Sequence, residues 1–232
     1  ATTREIIRTI EKAKNNPAIP FSVFKVTGVA AFGLLEKIQA NAKLTEEETI
    51  AWSHTQKRVD EICKSAFENN VRLLIDAEDS WIQNPIDEMV YAMMKKYNKE
   101  RAIVFNTYQM YRADMLENLK KAIQEAQQHN YFFGAKLVRG AYMEKEAARA
   151  AEMNYPNPIH HSKEATDQAF NEGLAFCLER IIYLSLADSD PDVFLNKIGD
   201  ALGRGDVEAA KDIARNTRGP VASIVYQGLL RL

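Results

Sequence analysis

The sequence predicts an α/β fold, a partial (βα)8 TIM-like barrel with about four parallel strands, followed by an all-helical tail. Three observations carry that prediction. Helical and apolar segments alternate along most of the chain, the pattern that builds parallel sheets. The apolar segments are nearly uninterrupted, as in strands covered on both faces. Each also delivers a polar residue at its end, and in a parallel sheet those ends meet at one mouth.

Residues 3–15 have a helical pattern, and residues 20–26 (PFSVFKV) form a β-branched and aromatic run, the first strand. Residues 45–69 make a long amphipathic helix that opens on Thr45-Glu46-Glu47-Glu48, a capping-box signature. The second strand is 71–77 (VRLLIDA), with a helix after it that ends near 95–98. The third is 102–106, followed by a helix over 114–129. The fourth, 132–138, runs straight into Arg139-Gly140-Ala141-Tyr142 and then into a charged helix. No GxGxxG or Walker-type loop follows any strand, which argues against a dinucleotide-binding or phosphate-loop fold and for a barrel.

Composition narrows the classes further. The 232 residues are 46% hydrophobic and 27% charged, an ordinary globular balance with apolar material for one sizeable core. A net charge of -2 gives no reason to expect nucleic acid as a partner. Cys63 and Cys177 lie in helix-like sequence without metal-ligand spacing, which fits packed thiols in a reducing compartment. No apolar segment reaches bilayer-spanning length and no signal pattern opens the chain. The expected location is cytoplasmic, at most peripheral to a membrane. Ala1 in place of an initiating methionine fits a chain that starts partway into a longer one.

The strand ends supply the candidate site. The first gives Lys25 and then Thr27-Gly28, the second Asp76-Ala77-Glu78-Asp79, the third Asn106-Thr107-Tyr108-Gln109, and the fourth Arg139-Gly140. Lys25 either pairs with a substrate carboxylate or is simply solvated; directly after an apolar strand, the first is favoured. Asp76 is read as a site residue and Asp79 as a helix cap. Asn106 and Gln109 offer amides suited to a heterocycle, while Tyr108, Met110 and Tyr111 are read as packing. Arg139 would stand as a fixed charge beside a ligand, and Gly140 would let something flat approach the backbone. A metal-dependent lyase using Asp76 and Glu78 ranks last, because His54, His129, His160 and His161 make no convincing ligand set.

The ordered motifs FSVFKVTG, LLIDAEDSW, IVFNTYQMYR and GAKLVRGAYMEKE, with the later YPNPIHHSKEATDQAFNEGL, resemble the flavin-dependent proline dehydrogenases over residues 1–180. The resemblance implies a distorted barrel that binds FAD non-covalently, oxidises L-proline to pyrroline-5-carboxylate and passes electrons to a membrane quinone. It implies that Lys25 holds the proline carboxylate and that Asp76 supports that site. It places Asn106 at the flavin pyrimidine edge and Lys136 near the flavin N5. Val138, Arg139, Gly140 and Ala141 match the segment along the isoalloxazine ring, with Arg139 also in the catalytic set, and Lys163 matches a basic residue on the phosphate side.

The departures set further expectations. A complete barrel needs eight strands over about 250 residues, and only four are visible. From residue 181 onward the chain changes character: Asp190-Pro191 opens a helix, Gly203 and Gly205 end it and Asp206 begins another. This tail, 181–232, resembles the cytoplasmic segment after the first membrane helix of ExbB, TolQ and MotA type proton-channel proteins, notably in IARNTRGPVASIVYQGLL. The two resemblances imply a composite chain joined near 178–180, and the alternative to an enzyme is a non-catalytic chain carrying a helical interaction module. Open sheet edges imply weak FAD binding, or a homo-oligomer that covers them.

Overall fold

The structure, a computed structural model, describes residues 2–187, 191–217, 225–226 and 229. Helix α1 (Thr2–Ala13) leads to strand β1 (Phe21–Lys25), a 3-10 turn (Val26–Gly28), α2 (Phe32–Gln39) and α3 (Glu46–Glu68). Then come β2 (Arg72–Asp76), α4 (Ser80–Tyr97), β3 (Val104–Gln109), α5 (Met115–Gln128), β4 (Ala135–Val138) and α6 (Met143–Met153). Three helices follow: α7 (Lys163–Ala187), α8 (Pro191–Gly203) and α9 (Val207–Asn216). The sheet has four strands in the order β1-β2-β3-β4, every neighbouring pair parallel. This is the expected α/β, TIM-barrel-like arrangement with a helical tail.

Local sequence explains the boundaries. Thr45 caps α3 by accepting from the Glu48 amide, and the Glu48 carboxylate accepts from the Thr45 amide, so the predicted capping box forms. Five helices are followed closely by an asparagine with positive φ, at Asn15, Asn41, Asn70, Asn130 and Asn154; asparagine tolerates this left-handed exit better than most residues. In the main core cluster Phe24, Leu73, Ile75 and Val104 of the strands meet Ile10, Ile62, Ile86 and Met94 of the helices.

Strands β1 and β2 fall within one residue of their predicted limits at each end, whereas β3 and β4 both start later, beside Asn98 just after α4. Its Oδ1 accepts from Ile103 and Val104, and its Nδ2 donates to the carbonyls of Val104 and Phe132. Ile103 and Phe132 are thus tied to a side chain just ahead of the regular strands, and β3 begins at Val104 and β4 at Ala135. Strand β3 also continues to Gln109, carrying the residues expected in a loop into the ladder with β4.

The chain divides into two compact units, residues 1–173 and 174–232. Within the second, Phe194, Ile198, Ala201, Ala210, Ala214 and Leu229 form a small apolar core between α8 and α9. Gly205 takes a positive φ after α8, and Asp206 accepts from the Ala209 amide to cap α9. Asp190 and residues 218–224, 227–228 and 230–232, on which part of the ExbB-like motif falls, lie outside the described residues.

Candidate active site

Parallel register brings the strand tips together. Lys25 is the Cα partner of Asp76, Thr107 of Lys136, and Gln109 of Val138. Across the tips, Lys136 Nζ donates to Asp76 Oδ1 at 2.7 Å, tying β4 to β2 over the top of β3. Lys25 Nζ donates to the Tyr142 hydroxyl at 3.1 Å and lies 5.7 Å from the centre of its ring. That hydroxyl, with the Glu78 and Asp76 carboxylates behind it, holds the Lys25 ammonium above its ordinary pKa range. Lys25, Asp76, Lys136 and Tyr142 therefore form one constellation contributed by β1, β2, β4 and the N-cap of α6.

Other expected site residues stand elsewhere. Arg139 points to α7, where Nη1 donates to Asp167 Oδ1 at 2.9 Å and the guanidinium sits 4.8 Å from the Phe170 ring centre. Lys163 shares the same carboxylate at 3.3 Å, and Lys163 first, then Arg139, keeps Asp167 below the usual carboxylate range. Arg139 and Lys25 thus belong to two adjoining groups rather than one. Val138 is half-buried, while Gly140 and Ala141 are exposed. A Cβ added at Gly140 would meet only Met143 Sδ, at 3.4 Å, so the backbone there is open to a flat group.

Asn106 is 1% exposed, with Nδ2 donating to Asp87 Oδ1 at 2.8 Å and Oδ1 accepting from the Thr107 amide. Its amide is engaged on the helix side of β3. Gln109 is equally buried, donating to the Glu78 carbonyl and accepting from Arg112; the expectation of a free amide there is corrected, because β3 runs on and packs it inside. Tyr108, Met110 and Tyr111 are fully packed, as expected.

Asp79 stands at the N-cap of α4 but makes no capping hydrogen bond. The cap comes from α6: the buried Glu146 carboxylate accepts from Ser80 N and Ser80 Oγ, both at 2.6 Å. Asp79 pairs instead with Lys145. The Glu78 carboxylate is taken by Thr27, and among the described residues no three His, Cys, Asp or Glu side chains cluster to hold a metal. The metal-dependent reading thus has no ligand set. Among those residues, too, no helix is long and apolar enough to cross a membrane.

Tyr142 and Asp87 are residues whose parts the sequence left unassigned, and Glu78, weighed there as a metal ligand beside Asp76, binds Thr27 instead. Tyr142 had a signal, an aromatic two residues after the strand-end glycine. Asp87 had none, because it lies inside α4 and matters only through β3. Burial pushes its carboxyl up to about 6, against the opposing hydrogen bonds from Asn106 and Gln83.

Parallel βα units that gather cations and a carboxylate at their strand tips define a TIM-barrel-like protein with its site at the carboxyl ends of the strands. The proline dehydrogenase family model matches residues 1–190, and the chain belongs to that family of oxidoreductases. It is 41% identical over 134 residues to proline dehydrogenase 1, mitochondrial, of Drosophila melanogaster, covering 58% of this chain and 20% of that protein. It is 39% identical over 152 residues to the Homo sapiens protein of the same name, covering 66% and 25%. With the Arabidopsis thaliana protein the identity is 35% over 216 residues, covering 76% and 43%. The chain therefore spans well under half the length of these relatives.

Among solved structures, proline utilization A from Bdellovibrio bacteriovorus, inactivated by N-propargylglycine, superposes with a TM-score of 0.65 at 17% identity. The superposition covers 77% of this chain and 20% of that one, a likeness of fold. The family match runs past the junction expected at 178–180. The expected cytoplasmic location is corrected by the names of these relatives, which are mitochondrial proteins.

Proposed function

We propose that the strand tips bind FAD non-covalently and that the chain oxidises L-proline to pyrroline-5-carboxylate. The observation that carries the proposal is the convergence of Lys25, Asp76, Lys136 and Tyr142 in a chain of the proline dehydrogenase family. Bound FAD would supply the hydride acceptor. Lys25, kept protonated by its surroundings, would take the proline carboxylate, and Asp76 would hold Lys136 toward the reacting edge of the ring. Cations placed where negative charge develops favour transfer toward them. Val138 to Ala141 would lie along the isoalloxazine, Gly140 leaving room for it. Arg139 and Lys163, both on Asp167, offer positive charge for the phosphates. For Asn106 to reach the pyrimidine edge its Nδ2 would have to leave Asp87. A quinone would take the electrons onward. A second copy would cover the open edges of β1 and β4.

Titrating FAD into the protein and recording the absorption spectrum before and after L-proline tests this. Bound flavin that bleaches with proline is expected, at less than one flavin per chain, because four strands line only half of an eight-stranded barrel. No bound flavin at saturating FAD, or bound flavin indifferent to proline, overturns the proposal. Lys25→Ala should raise the proline KM by about tenfold or more, the loss of one charge-assisted contact.

A further inference from the structure

Beyond the side chains assigned to ligands, one buried residue joins three strand ends at once, by its carboxylate and its backbone. Glu78 is 6% exposed and follows β2 by two residues. Its Oε1 accepts from the Thr27 amide at 3.0 Å and its Oε2 from the Thr27 hydroxyl at 2.5 Å. Its own amide donates to Gln83 Oε1 at 2.7 Å, which fixes it to α4. Its carbonyl accepts from Gln109 Nε2 at 2.7 Å, which fixes it to the tip of β3. Every polar group of Glu78 is therefore spent inside the protein. A carboxylate taking two donors from one residue, one of them a hydroxyl, makes short and directional bonds.

The placement has a simple geometric logic. Lys25 is paired in register with Asp76, the last step of the β1–β2 ladder. Two residues further along each chain, Thr27 meets Glu78. The clamp thus continues the ladder by one rung after the regular strand has ended, and it does so from the 3-10 turn that Lys25 leads into. Main-chain freedom in that turn would swing the Lys25 stem, because its side chain is exposed and is steadied by the hydrogen bond to Tyr142.

We infer that Glu78 is a positioning residue: by clamping the turn after β1 to the ends of β2 and β3, it sets where the Lys25 ammonium stands. The consequence for proline rests on the function proposed above; the clamp itself does not. With both carboxylate oxygens bound to Thr27, the part assigned to Glu78 is mechanical. Glu78→Ala removes both acceptors, whereas Glu78→Gln keeps one oxygen to accept from the Thr27 amide.

Amide hydrogen exchange on the full-length chain, read alongside proline kinetics, separates the possibilities. In Glu78→Ala the Thr27 amide should exchange at least about tenfold faster, the loss of one buried hydrogen bond. The amides of Leu73 to Ile75 in β2 should stay protected, and Glu78→Gln should restore most of the protection at Thr27. The proline KM should rise in Ala with kcat less affected, and recover in Gln. Thr27→Val, which deletes the hydroxyl alone, should shift KM in the same direction if Ala proves hard to purify. Unchanged Thr27 exchange in Glu78→Ala, or loss of protection spread evenly through β2, overturns the clamp. If the clamp is seen by exchange and no variant of the chain acts on proline, the proposed function fails and the clamp stands.

Discussion

Asp87 shows how burial alone sets a side chain's behaviour. It lies within α4, with Gln83 and Asn106 both donating to its Oδ1, and desolvation raises its pKa to about 6. A carboxyl raised in the folded state favours folding while it is protonated, and that contribution is lost as the pH climbs from about 4 through about 6. Asp87→Asn keeps an oxygen for both donors and removes the charge. The variant should be more stable than the parent above pH 6, by about 1–3 kcal/mol, and equal to it near pH 4. Urea melts at the two pH values check this, and an Asn variant weaker at neutral pH would show the charge to be needed. Single residues also show what the sequence disclosed and what it withheld. Lys25 and Asp76 could be singled out because each ends an apolar strand, whereas Lys136 was named only through the family resemblance. The partners of Asn106, Gln109 and Asp79, which are Asp87, Glu78 with Arg112, and Lys145, were not legible, because they come from other elements. A local pattern carries no trace of a partner brought in by the fold.

Elements were easier to read than their ends. Alternation of apolar and amphipathic runs located every strand and the long helices, whereas the edges of β3 and β4 depend on the Asn98 side chain. The N-terminus of α4 depends likewise on Glu146, a residue distant in sequence. Glu146→Ala would leave two Ser80 donors buried without an acceptor and should cost about 2–3 kcal/mol, while Ser80→Ala should cost about 1 kcal/mol. Equal costs in chemical denaturation would mean that Glu146 acts through something besides this cap. Entry into β4 is constrained in a different way. A Cβ on Gly134 would stand 2.5 Å from the Val104 carbonyl oxygen and 2.8 Å from the Phe105 ring. Gly134→Ala should force β4 away from β3 and cost about 2 kcal/mol or more; a thermal midpoint within a degree of the parent would show that the strands shift freely.

In the first compact unit, β1 and β4 each leave one strand edge unpaired among the described residues. The same face of the sheet shows Val23 at 47% exposure beside half-buried Phe21, Leu74 and Phe105. Apolar side chains next to open edges favour association. Sedimentation velocity across a concentration series should show self-association, and Val23→Lys should shift the protein toward a monomer without lowering its melting temperature. A parent that stays monomeric at every concentration would refute this. The left-handed asparagines have the opposite placement. Asn15, Asn70 and Asn130 precede β1, β2 and β4, so they stand at the entrances of strands whose exits hold Lys25, Asp76 and the turn that begins at Arg139. Upkeep of the scaffold and its chemistry are thus assigned to opposite rims. The entrance rim can be rewritten for durability while the exit rim keeps its tools in place.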